Sequence, residues 1–250
     1  MSFSYDTKTE LCRVPIEKKC CMRAELYGIL LYCNTFGFNE LRIMTEHKQF
    51  AQRAEKLLKK TADMSFDLKT GDEEAGAKYK VSLIINSRAK LETLFLNYGY
   101  DSERNFAHHI NLAVIEDDCC KASFIRGALL AGGYITDPGK GYHLELVTSH
   151  YGVARGVYSL FLDMGFAPRN VTRNGNYVTY FKQSEAIEDL LTLLGAPLSA
   201  MEIMNAKVEK EISNKVNRRL NCDEANLDKM VQAAQEQLEA IRRLEENGRL

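Results

Sequence analysis

A glycine-marked repeat constrains this chain more than any other feature. Cys20-Cys21 is followed seven residues later by Gly28, and Cys119-Cys120 is followed seven residues later by Gly127, so the two marks recur at an offset of 99 residues. Both glycines fall inside apolar stretches of helical character, where a glycine costs about 1 kcal/mol against alanine. A glycine at the same point of two copies points to close packing. Ala24 and Gly28 share one helical face, as do Ser123, Gly127 and Ala131. Two such small-residue faces predict that the first helices of the copies pack on each other along a pseudo-twofold seam.

The order of elements repeats with the marks. In the first copy, Cys20 to Phe36 reads as a helix, and a short hairpin closes with the strand Leu41 to Thr45. Glu46 to Lys60 is an amphipathic helix, Met64 to Leu68 and Tyr79 to Ile85 are strands around the polar run Lys69 to Lys80, and Ser87 caps a helix that stops at Gly99. In the second copy, Cys119 to Gly132 is the helix, and Gly133 to Thr136 and Tyr142 to Thr148 are strands around the turn Asp137-Pro138-Gly139. Ser149 caps a helix through Met164, Arg169 to Arg173 and Asn176 to Phe181 flank the hairpin signal Asn174-Gly175, and Ser184 caps a helix ending at Gly195. Each copy is helix, hairpin, helix, hairpin, helix: an α+β body, duplicated as α-β-β-α-β-β-α. Beyond it, Asp223 is placed to cap a C-terminal helix with an apolar stripe at Leu227, Met230, Val231, Ala234, Leu238, Ile241 and Leu244, ended by Asn247-Gly248. The expected organisation is an N-terminal arm (1–18), a first half (19–100), a connector (101–117), a second half (118–198), a basic linker (199–222) and the C-terminal helix (223–250).

Composition narrows the function classes. A formal net charge of −1 over 250 residues provides no global basic field for nucleic acid, though a local basic face is compatible with it. The longest apolar run, Leu26 to Cys33, is too short to span a bilayer, so no membrane partner is expected. Seven cysteines without a preceding secretory signal predict a reducing cytoplasm and free thiols.

Few residues carry recognisable chemistry. The sequence has no Gly-rich phosphate loop and no nucleophile elbow. Adjacent cysteines on a helix point about 100° apart, and no C-x-x-C partner accompanies Cys20-Cys21 or Cys119-Cys120, so these read as packing thiols. His108-His109 reads as part of a solvated connector. No cofactor, metal, catalytic residue or small-molecule substrate is expected. Arg42, Lys80, Arg169, Arg173 and Lys182 lie on or beside predicted strands and could touch phosphates, although Glu40 and Glu145 share those strands and solvated surface charge is the plainer reading. Lys215, Asn217, Arg218 and Arg219 form a denser cluster within Lys207 to Arg219, where five basic and two acidic residues leave a net +3.

Two stretches carry a family resemblance. Leu26-Tyr27-Gly28-Ile29-Leu30-Leu31-Tyr32 and Ile125-Arg126-Gly127-Ala128-Leu129-Leu130-Ala131-Gly132-Gly133 resemble degenerate LAGLIDADG motifs, which mark homing endonucleases built on this duplicated plan. More specific text resembles the WhiA family: Met1-Ser2-Phe3-Ser4 with Glu10-Leu11-Cys12-Arg13, Arg23-Ala24-Glu25-Leu26, Tyr142-His143-Leu144-Glu145, and above all Asn217-Arg218-Arg219-Leu220-Asn221-Cys222 continuing Glu224-Ala225-Asn226-Leu227. The resemblance covers essentially the whole chain. It implies a LAGLIDADG-like body with pseudo-twofold symmetry beside a C-terminal helix-turn-helix domain, in a bacterial regulator of cell division, chromosome segregation or sporulation.

The resemblance also says where nuclease chemistry would sit. A LAGLIDADG nuclease needs an acid at the bottom of each seam helix to hold divalent metal. No Asp or Glu lies between Glu25 and Glu40, or between Asp118 and Asp137; the matching positions are Cys33 or Asn34 and Gly132. Glu145 and Asp137 have no counterpart in the first copy. The expectation is therefore a non-catalytic, nucleoid-associated DNA-binding regulator. Because no recognition helix is read after Leu244, residues 223–250 are expected to be the first helix of a truncated helix-turn-helix domain whose main DNA-reading part is missing, and binding to duplex DNA is expected to be weak or absent, with a protein partner as a second possibility. The alternatives are a metal-dependent LAGLIDADG-type endonuclease and a protein-interaction scaffold that does not bind DNA.

Overall fold

The computed structural model describes residues 2–72, 80–100 and 107–246. Residues up to Met204 form one compact unit, and those from Asn205 onward form a second.

The first unit is the duplicated body. After α1 (Phe3–Leu11), the first copy runs α2 (Lys19–Tyr32), β1 (Thr35–Phe36), β2 (Leu41–Thr45), α3 (Lys48–Ala62), β3 (Leu68–Asp72), β4 (Lys80–Ile85) and α4 (Arg88–Asn97). The second runs α5 (Asp118–Gly132), β5 (Gly133–Ile135), β6 (Leu144–Thr148), α6 (Tyr151–Asp163), β7 (Arg169–Arg173), β8 (Asn176–Phe181) and α7 (Ser184–Leu194). Each copy closes one antiparallel four-stranded sheet, ordered β1-β2-β4-β3 and β5-β6-β8-β7. The two orders are the same, so the duplication holds at the level of topology. The Asn174-Gly175 hairpin has φ of 51° and 77°, the left-handed pair that a tight two-residue turn requires.

At the centre, α2 lies along α5. A Cβ on Gly28 would stand 2.0 Å from the Phe124 carbonyl oxygen, and one on Gly127 would stand 2.1 Å from that of Glu25. Backbone thus meets backbone across the seam, and Ala24 and Ser123 are buried beside it. Ser123 Oγ donates to Cys119 O at 2.7 Å, while Ala131 is only half-buried near the far end. Below the seam, alternate residues of the central strands enter the core: Leu41 and Ile43 with Leu83 and Ile85 in one copy, and Leu144 and Leu146 with Phe181 in the other.

The structure departs from the sequence reading at several boundaries. The first seam helix ends at Tyr32, short of Phe36, because Cys33 turns extended (φ −74°, ψ 175°) and Phe36 pairs with Leu41 in β1. β3 lies at Leu68–Asp72, so all but its first residue fall inside the run read as a polar loop. Met64 and Phe66 pack against the core ahead of it, and an edge strand tolerates polar residues on both faces. Residues 73–79 of that run lie outside the described residues. His150 and Gln183, not Ser149 and Ser184, occupy the N-cap positions of α6 and α7. The part of the connector from residue 107 onward is not a solvated loop either: Ile110, Val114 and Ile115 are buried, His108 donates to Phe36 O at 2.6 Å, and its ring stacks on His150 with centroids 4.0 Å apart, while residues 101–106 lie outside the described residues.

The N-terminal segment contains a docked helix. Phe3, Ser4, Thr7 and Leu11 of α1 are buried, and its Glu10 carboxylate caps a later helix by accepting from Leu198 N at 2.7 Å and Ser199 N at 2.9 Å. That helix, α8 (Pro197–Glu246), is a single element of 50 residues. Asp223 is therefore in its interior and is not an N-cap, and residues 199–222 are helical throughout. Asn247-Gly248 lies outside the described residues.

Candidate nucleic-acid interface

The lower ends of the seam helices are where a nuclease of this plan would hold metal, and the local chemistry there does not fit a hard cation. Cys33 donates from Sγ to Leu30 O at 3.1 Å and to Thr35 O at 3.2 Å, and burial pushes its thiol up to about 12. Mg²⁺ selects hard oxygen ligands, which a protonated thiol does not supply. Asn34 is occupied as well, its Oδ1 accepting from Met44 N at 2.7 Å. At Gly132 a Cβ would meet the Tyr32 ring and the Val147 carbonyl oxygen at 2.9 Å each, so an acidic side chain has no room. The neighbouring last turn of α5 is served by a cation already present: Lys8 donates from Nζ to Leu130 O at 3.1 Å. Desolvation lowers that ammonium to about 8.

The cations expected to touch phosphate from the sheets divide into engaged and open ones. By register, Arg42 in β2 and Lys80 in β4 lie on the face of the first sheet opposite Leu41, Ile43 and Leu83. Arg42 is held by Glu40 at 2.6 Å. On the second sheet, Glu145, Tyr180 and Arg169 stand opposite one another, on the face away from Leu144, Leu146 and Phe181. Glu145 accepts from Arg173 Nη2 at 2.9 Å and from His143 Nε2 at 3.0 Å. Against the desolvation of its burial, those two donors hold its carboxyl below the usual carboxylate range. Lys182 lies 5.7 Å from the centre of the Tyr180 ring. Arg169 and Lys80 are exposed and make no ion pair among the described residues. Each sheet face thus carries mixed charge, with an acid beside its arginine.

The second unit is plainer. Lys215, Asn217, Arg218 and Arg219 are all exposed on α8. Helical spacing puts Lys215, Arg218 and Arg219 on one face and turns Asn217 away from it. Next to that face run the exposed apolar residues Ile212, Val216 and Leu220.

Comparison with known proteins places this geometry. A family model described as the WhiA LAGLIDADG-like domain matches residues 121–213, and one described as the WhiA C-terminal HTH domain matches residues 216–250. A protein named "Probable cell division protein WhiA" from Ruminiclostridium cellulolyticum is 32% identical over 252 residues, covering 98% of this chain and 80% of that relative. The chain belongs to the WhiA family. A Clostridium novyi protein of the same name is 34% identical, covering 98% of this chain and 81% of its own. Among solved structures, full-length DUF199/WhiA from Thermatoga maritima matches with a TM-score of 0.71 at 20% identity, over 99% of this chain and 80% of that one. The N-terminal LAGLIDADG domain of DUF199/WhiA matches with a TM-score of 0.59 at 18% identity, over 78% of this chain and 90% of that one. These two share the fold of the body.

Family membership settles two points and corrects one. The body is the family's LAGLIDADG-like scaffold without its chemistry, and the chain is not an enzyme. The correction concerns the C-terminal end: the helix-turn-helix domain is not missing, because its family model matches residues 216–250. The basic cluster at Asn217, Arg218 and Arg219 therefore falls within that domain's match and not in a linker ahead of it. A helix-turn-helix is a module that docks on duplex DNA, so DNA stands as the partner. The expectation of weak or absent binding falls with the premise of a missing domain. The sequence misleads here because Asp223 has the side chain of a helix start, which places the domain's opening seven residues late.

Proposed function

We propose that this chain is a non-catalytic, DNA-binding regulator of bacterial cell division, chromosome segregation or sporulation, acting on the nucleoid in the cytoplasm. The relatives' names support the first of these processes. The observation that carries the reading is the exposed basic face of Lys215, Arg218 and Arg219 within or beside the span matched by the helix-turn-helix model. Three cations at helical spacing can follow a phosphate backbone, whereas the sheet cations are partly neutralised by Glu40 and Glu145. In this reading the C-terminal domain supplies DNA affinity, while Arg42, Lys80, Arg169, Arg173 and Lys182 of the body make secondary contacts. The body itself does not cleave.

Salt-dependent gel-shift titration of the whole chain tests it. Replacing Lys215, Arg218 and Arg219 together by alanine should weaken binding to all duplexes and reduce the slope of log K against log salt by about 0.9 for each phosphate that is no longer neutralised. Replacing Arg169 and Lys80 should change it less. Unchanged affinity and slope in the triple variant would refute the assignment of the basic face. No binding by the unaltered chain at low salt would instead favour a protein-interaction scaffold.

A further inference from the structure

The two cysteine pairs that mark the repeat are 99 residues apart in sequence, yet the fold brings them together. The Sγ atoms of Cys20, Cys21, Cys119 and Cys120 all lie within 4.8 Å of one another. We propose that these four thiolates bind one zinc ion at the upper end of the seam, opposite the end where a nuclease of this plan would hold its metals.

Four lines of geometry support the site. A tetrahedral ion with Zn–S bonds of about 2.3 Å needs its sulfurs roughly 3.8 Å apart. Cys20 and Cys21 already stand 4.0 Å apart, and the other separations need to close by no more than about an ångström, a side-chain adjustment. The divergence of adjacent cysteines, an obstacle to binding by one helix alone, suits a tetrahedron completed by a second helix bearing the same pair. The helices come close enough because Gly28 and Gly127 allow backbone contact about two turns further on. The ion would sit near the pseudo-twofold axis with two ligands from each copy, so neither copy alone forms the site.

The electrostatics agree. Both pairs occupy the second and third residues of their helices, α2 and α5. The positive end of a helix dipole stabilises a thiolate there. Soft thiolates select zinc over magnesium or calcium. Four protein ligands leave no open coordination position, so the ion would be structural, a staple across the seam. A two-iron cluster would hold its two thiolate pairs further apart than one ion does, and mutual separations within 4.8 Å favour the single ion.

The test uses the whole chain, purified under reducing conditions without chelators. Elemental analysis should find about one zinc per chain, and cobalt loaded in its place should give the visible absorption of tetrahedral thiolate coordination. Cys20→Ser with Cys119→Ser should abolish both, whereas Cys12→Ser with Cys222→Ser should leave both intact. A strong chelator should lower the melting temperature of the unaltered chain but not that of the Cys20→Ser, Cys119→Ser variant. Cobalt absorption by the unaltered chain tests the site even if the variant fails to fold. The proposal is overturned by an unaltered chain that takes up neither zinc nor cobalt, by iron with acid-labile sulfide in place of zinc, or by a disulfide among these four cysteines in the protein as purified.

Discussion

Arg126 donates from Nη1 to Glu25 Oε2 at 3.2 Å, joining residues 101 positions apart across the seam. Glu25 also receives Arg53, through Nη2 at 2.8 Å and through Nε, and all three side chains are buried. The arginines go on to the backbone: Arg53 Nη1 donates to Cys12 O and Val14 O, and Arg126 Nε donates to Leu194 O. One carboxylate thus ties together α2, α3, α5, the turn after α1 and the end of α7. Removing its charge would leave two buried guanidinium groups uncompensated, which costs about 3–5 kcal/mol. Glu25→Gln should lower the unfolding free energy by that order, read as a lower urea midpoint at an unchanged denaturant slope. A loss below about 1 kcal/mol would mean that water reaches the arginines, as it does at exposed pairs.

The seam glycines make a different prediction. At Gly28 and Gly127 an added methyl meets carbonyl oxygens, which cannot rotate away as a side chain would. Gly28→Ala and Gly127→Ala should each destabilise by at least the ~1–3 kcal/mol of an overpacked core, despite alanine's better helix propensity. Gly37→Ala, whose nearest atom is 3.8 Å away, is the control and should be close to neutral. Thermal melts of the three variants decide it, and a stabilised Gly28→Ala would contradict the close approach.

What the sequence makes legible here follows from the range of each signal. Local signals are read well: Asn174-Gly175 sets the β7–β8 hairpin, and Gly195 ends α7 with φ of 94°. The repeat itself is long-range but visible, because two copies of one pattern can be laid over each other. What stays hidden is chemistry assembled from both copies. Neither Cys20-Cys21 nor Cys119-Cys120 suggests a four-thiol cluster alone, and nothing near Glu25 in the sequence announces that Arg53 and Arg126 converge on it. The α8 boundary is missed for another reason. Asp223 carries a capping side chain, but nothing ahead of it breaks the helix, and residues 198–221 include neither glycine nor proline.

The His108–His150 stack makes stability depend on pH. Desolvation, with the neighbouring His150 and His109, lowers His108 from about 6.5 to about 4, partly offset by its bond to Phe36 O. Desolvation also lowers His150. The folded state therefore keeps His108 neutral where the unfolded chain binds a proton. The stability this provides is fully present above pH 6.5 and is lost as pH falls toward 4. His108→Gln keeps a donor for Phe36 O and removes the titration, so its melting temperature should fall less steeply than that of the unaltered chain across this window. Parallel slopes would show that His108 is protonated in the folded protein.

The lower ends of the seam helices predict the absence of cleavage and the failure of a simple repair. With Mg²⁺ or Mn²⁺ and duplex DNA, the chain should leave supercoiled plasmid intact. Metal-dependent nicking that co-purifies with the folded protein would contradict this. Restoring the acids by Cys33→Asp with Gly132→Asp should not restore activity, for a steric reason at Gly132 and an electrostatic one at Cys33. The Cβ introduced in place of Gly132 would press on the Tyr32 ring and the Val147 carbonyl oxygen, both 2.9 Å away. The aspartate replacing Cys33 would lose the thiol's donation to Leu30 O and Thr35 O and face those carbonyls with a charge. The double variant should melt below either single variant and still not cut. Cleavage by a stable double variant would show that the scaffold kept room for its metals, and that only the two side chains were lost.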